Sequence, residues 1–118
     1  MPHFTENEAV RWPFGKAKEI VIAVFAATMT QAIADRMTVL SLPQLTSSAT
    51  LNVTPGAEQL VGDLLMVKVP ALTNGFNLTL GTGIDAPVIT GVAGKTQQQL
   101  FMFTGLAFTA VGASVQID

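Results

Sequence analysis

The sequence predicts an all-β fold, a jelly-roll-like β-sandwich of about eight strands behind an irregular N-terminal arm. Two observations carry that expectation. Short runs of β-branched, aromatic and other apolar residues alternate with polar ones in the period of a pleated strand. Glycine, proline and asparagine punctuate those runs at roughly 8–12 residue spacing, as turns between sandwich strands do. The length of 118 residues suits one domain, and a chain of this size can bury a core without disulfides or metals. The expected division is an arm over residues 1–16 and a sandwich domain over residues 17–118.

The arm, MPHFTENEAVRWPFGK, holds two prolines and Gly15 and no sustained period. Its large apolar residues Phe4, Val10, Trp12 and Phe14 are more than a free tail normally carries. They are the candidate interface residues, packing along the domain or onto a neighbour, with Trp12 the strongest anchor. Next, Glu19–Thr28 reads as a strand because Ile20, Val21, Ile22, Val24 and Phe25 are β-branched or aromatic. A helix over Ile20–Ala34 is the alternative, favoured by the alanines and ended by Asp35 and Arg36. From there the alternation is regular. Met37–Pro43 sets Met37, Val39 and Ser41 against Thr38, Leu40 and Leu42. Ser48–Gly56 sets Ala49, Leu51 and Val53 against Thr50, Asn52 and Thr54, and Pro55-Gly56 has the signature of a type II turn. Gly62–Pro70 is a strand closed by proline. Asn74–Gly83 opens on the turn dipeptide Asn-Gly, and Pro87–Gly91 is short. Thr96–Gly105 and Leu106–Ile117 form a final pair with Gly105 in the turn.

Composition narrows the function. Six basic and eight acidic residues give a net charge of −2, without the positive footprint that nucleic-acid binding needs. Charged residues are 12% of the chain and apolar ones 49%, where about 25% charge is usual. From Ala86 to Asp118 the only ionisable side chains are Lys95 and Asp118. Low charge with high apolarity fits a surface covered partly by other subunits; the alternative is a neutral threonine-rich β domain. No uninterrupted apolar run reaches the ~18 residues of a membrane span, since Thr28, Thr30 and Gln31 interrupt Ile20–Ala34. No targeting signal is read at the start, and no membrane partner is expected.

Gly94-Lys95-Thr96 is how a phosphate-binding P-loop ends, but the full motif requires a glycine where the chain has Ile89 and a helix where Gln97–Phe103 reads as strand. Neither nucleotide nor cofactor is expected. Lys95 is instead a candidate solubilising or inter-subunit contact. His3 stands alone near the start, so with no cysteine and only this histidine a hydrolytic triad is not expected, and a thiolate metal site has no ligands. Asp35, Glu58, Asp63 and Asp85 are far apart, and three of them flank turn residues, where carboxylates accept backbone hydrogen bonds. Asp85 is the least implausible hard-metal ligand of the four. Asn52-Val53-Thr54 and Asn77-Leu78-Thr79 match glycosylation acceptors and read as chance in a threonine-rich chain. Trp12, Phe76, Phe101, Phe103 and Phe108 form a carbohydrate platform only if they share a face; as core residues they would not.

The run from GDLLMVKV through NLTLGTGIDAPVITGVAGKTQQQLFMFTGLAFTAVG, roughly residues 60–112, resembles small β-rich structural proteins of tailed-bacteriophage virions. It is closest in character to head decoration or cement proteins, in phrasing rather than through a diagnostic motif. The resemblance implies a non-enzymatic protein on the capsid surface, often trimeric, that strengthens joints between capsid subunits. Its partners would be identical subunits and the major capsid protein, with the arm as a contact. A major capsid, tail or receptor-binding role stays open, as does a small glycan- or protein-binding β-sandwich module.

Overall fold

The computed structural model describes residues 17–72 and 76–117, and among these the protein is all-β with no helix. Its strands are β1 (Lys18–Val21), β2 (Thr28–Ile33), β3 (Met37–Ser41), β4 (Ala49–Pro55) and β5 (Leu64–Leu72). They are followed by β6 (Asn77–Leu80), β7 (Ile84–Asp85), β8 (Ile89–Thr90), β9 (Lys95–Phe103) and β10 (Phe108–Gln116). A six-stranded sheet has the order β1-β3-β5-β9-β10-β7, and a four-stranded sheet the order β2-β4-β6-β8.

From β1 to β8 the chain changes sheet at every strand, and β3, β4, β5, β6 and β8 each lie beside the strand two before, whereas β7 reaches the far edge of the six-stranded sheet and pairs parallel with β10. Through β6 these neighbours are parallel: Lys18 lies opposite Thr38 and Met37 opposite Leu64 in one sheet, Thr28 opposite Thr50 and Ala49 opposite Leu78 in the other. This winding is a β-solenoid, and it corrects the expected jelly roll. The links explain the difference. A jelly roll pairs neighbours antiparallel through exposed turns, whereas here Leu42 and Leu45 between β3 and β4 are buried, and Ile22 and Phe25 between β1 and β2 pack on the core. Those side chains draw each link inward across the sandwich. Strands β9 and β10 then close the six-stranded sheet, with β9 antiparallel to both β5 and β10.

The interior comes from alternate residues of both sheets, as a two-period pattern requires. Leu40, Leu65, Val67, Phe101 and Phe108 from one sheet meet Ile33, Leu51, Val53 and Leu78 from the other, each at most 2% exposed. The rings of Phe103 and Phe108, which face each other across β9 and β10, have centroids 5.2 Å apart at 51°. Burying each such side chain stabilises the fold by about 1.5–3 kcal/mol relative to exposure.

Several local expectations change. Glu19–Thr28 is neither one strand nor a helix: it breaks after Val21, and residues 22–27 cross to the other sheet. Gly56 does not take the positive φ of a type II turn; its N–H donates to the Ile33 carbonyl at 2.8 Å, prolonging the parallel pairing past Pro55. β5 runs through Pro70 to Leu72, where the register against β9 slips by one residue and accommodates a residue that cannot donate. The Ile84–Asp85 strand was not anticipated. Asn74-Gly75 and the arm, with Phe4, Val10, Trp12 and Phe14, lie outside the described residues.

Candidate interaction surface

The loop of residues 56–63 holds the most elaborate polar arrangement. Asp63, 6% exposed, accepts hydrogen bonds at Oδ2 from the Leu60 N–H at 2.9 Å and Gln59 Nε2 at 2.8 Å. Gln59 Nε2 also donates to the Asp35 carbonyl at 2.7 Å. The carboxylate thus closes its own loop and ties it to the β2–β3 turn, the turn-side role its position beside Gly62 suggested. Arg36, Met37 and residues 60–64 line a cavity of about 190 Å³ there. Among the described residues no three acids or histidines gather as a metal site, and Asp35, Asp63 and Asp85 serve different turns and edges.

Lys95 opens β9 after Gly94, with its N–H bonded to the Val92 carbonyl at 3.0 Å, and is half-buried opposite Leu72. A strand follows Gly94-Lys95-Thr96, so no helix N-terminus is available to a phosphate. Phe101, Phe103 and Phe108 are core residues and Phe76, partly buried, packs against the core; they form no exposed platform. Asn52 Oδ1 accepts from the Thr82 N–H at 2.8 Å, a structural use of the first glycosylation-like triplet.

The two outer faces differ sharply. On the four-stranded sheet the outward row is Thr28, Thr50 and Thr79, followed by Thr30 beside Asn52 and Ala32 beside Thr54. On the six-stranded sheet the outward rows are Met37, Leu64, Met102 and Thr109, then Val39, Met66, Leu100 and Val111. Ser41, Lys68, Gln98 and Val115 make a third row. Met102 is 41% exposed and Val111 44%, and the others of the first two rows are half-buried by their neighbours in the sheet. At the Met37 end, Leu60, Val61 and Leu106 extend the apolar surface at 64%, 72% and 90% exposure.

Comparison with protein-family models, with curated proteins and with solved structures finds no match. The surface must therefore be read from its own chemistry. Its first two rows on β3, β5, β9 and β10 hold one hydroxyl, Thr109, and no charge. Lys68 in the third row and Glu19 beside Val39 at the β1 edge bring the charges, and the apolar centre can exclude water from a second apolar layer.

The apolar face escaped the expectations drawn from the sequence, which fixed on the arm and on Lys95. A signal was present. Leu64-Leu65-Met66-Val67 and Leu100-Phe101-Met102-Phe103 are unbroken apolar runs, the pattern of strands buried on both faces. Thr28-Met29-Thr30 and Thr50-Leu51-Asn52-Val53-Thr54 alternate cleanly, as strands wet on one side do.

Proposed function

We propose that the protein is a non-enzymatic structural component of a virion, a capsid decoration or stabilising protein that associates with identical subunits and packs on the major capsid protein. The observation that carries this reading is the apolar outer face of the six-stranded sheet, set against the hydroxyl-rich face on the opposite side of the molecule. Such a two-faced slab presents one side to another protein surface, a neighbouring subunit of the assembly, and the other to water. Low charge supports it, because packing uncharged surface against a neighbour avoids the desolvation cost of buried ions. The phrasing of residues 60–112, which resembles head decoration proteins, gives the kind of lattice.

The test is location. Virions purified from the native system should carry the chain in amounts stoichiometric with a capsid component, and mild washing should release it with the shell left intact. A chain confined to the non-particulate fraction would overturn the reading.

A further inference from the structure

The centre of the six-stranded sheet is apolar on both faces, and the four-stranded sheet covers one of them. We propose that its outer face is covered by the same face of a second copy, giving an isologous sheet-on-sheet dimer. The inference rests on the self-association in the proposed function and names the surface that performs it.

Register supplies the first argument. Strands β5 and β9 are adjacent at the centre of the sheet, with Leu64 opposite Met102, Met66 opposite Leu100 and Lys68 opposite Gln98. A two-fold axis parallel to the strands, lying between β5 and β9 and above the face, carries each member of these pairs over its neighbour's counterpart. Met66 of one copy then meets Leu100 of the second, Leu64 meets Met102, and Lys68 meets the neutral amide of Gln98 rather than another lysine. Both apolar pairs interdigitate at the ~10 Å spacing of packed sheets, and methionine adapts to the small angular offset that sheet twist imposes.

Area supplies the second. With strands ~4.8 Å apart and outward residues ~6.7 Å apart, the three rows on β3, β5, β9 and β10 give a footprint of about 400 Å² per copy. Accessible area exceeds a flat footprint because side chains stand out of the plane. Two such footprints make about 800 Å² of flat area, which the outstanding side chains raise toward the ~1,000–1,200 Å² at the lower end of specific interfaces. A face of this size and polarity supports a reversible dimer without any partner of another composition.

Sedimentation equilibrium on the full chain tests the proposal. A concentration-dependent dimer is expected, and Met66→Lys should raise its dissociation constant at least roughly tenfold, the effect of losing a central contact. Leu100→Lys serves as the second variant, with far-UV circular dichroism confirming that each keeps its sheet. Thr79→Lys, on the opposite face, should leave the dimer unchanged. A full chain that stays monomeric, or an oligomer indifferent to both Met66→Lys and Leu100→Lys, overturns the inference. Trp12 is the single tryptophan, so a monomer whose emission shifts red in Met66→Lys would assign the face to residues 1–16 instead. A monomer that sits in virions until Met66→Lys releases it would assign the face to the shell. In that last case the inference fails while the proposed function stands.

Discussion

Thr38, the second residue of β3, is buried to 1% exposure, and its Oγ1 has no hydrogen-bond partner. An unpaired hydroxyl in an apolar setting is destabilising, by roughly 1–3 kcal/mol in mutational data. Thr38→Val replaces it with a methyl of similar shape, and we expect a gain of about 1 kcal/mol, read as a higher urea midpoint at unchanged slope. Gly83 is constrained in the opposite sense. Its φ is +76°, and a Cβ there would overlap the Val53 carbonyl oxygen, which belongs to backbone and cannot step aside. Gly83→Ala should cost at least about 1–3 kcal/mol from the backbone conformation alone, with a lower midpoint as the readout. The GTG triplet read simply as the end of a strand; that Gly83 crosses directly over β4 depends on a contact 30 residues away, outside the reach of local pattern.

Among the elements, β9 and β10 show how a side chain holds an irregularity in place. Their register is continuous from Phe108–Phe103 to Val111–Leu100 and resumes at Val115–Gln98, two residues longer on β10. Gly112 takes φ +74° inside that bulge. Gln99, 3% exposed, sends Nε2 to the Gly112 carbonyl at 3.0 Å and to the Leu100 carbonyl at 3.2 Å. Gln99→Leu would leave those acceptors unpaired, at about 1–3 kcal/mol. Amide exchange should accelerate around Gly112–Val115 more than in β3, and uniform protection would refute the pinning role. A glutamine at a core-facing position reads in sequence as a surface residue of an alternating strand. The bulge on β10 brings the Gly112 carbonyl within reach of its amide, a contact no local pattern reports.

At the scale of the molecule, three of the five methionines, Met37, Met66 and Met102, lie on the outer face of the six-stranded sheet. Conversion to sulfoxide makes these apolar side chains polar. Mild peroxide treatment is therefore expected to abolish self-association before it unfolds the protein, because Met29, the one described methionine in the core, is 4% exposed. Light scattering together with mass spectrometry of the oxidised positions checks the order of events. Association that survives oxidation of Met66 and Met102 would show that the methionine face is not the contact.

The sequence by itself determined that the protein is all-β, where most strands fall, and which residues of a strand share a face. Thr38, Leu40 and Leu42 share one face as the alternation in Met37–Pro43 set them, and Ala49, Leu51 and Val53 likewise; the structure buries both sets. It also determined that a strand, not a helix, follows the Gly94-Lys95 turn; the structure starts that strand at Lys95, one residue before the expected Thr96. These are properties of adjacent residues, which side-chain period and turn chemistry report directly. Tertiary structure alone decided that the strands wind between two sheets in parallel rather than fold as a jelly roll. It also turned Ile20–Ala34 into two strands with a crossing between them. The same strand can pair either way, and the choice depends on whether the link after it is drawn inward, as Ile22, Phe25, Leu42 and Leu45 draw theirs. Pairing then collects Met66, Leu100 and their neighbours, distant in the chain, into one apolar face.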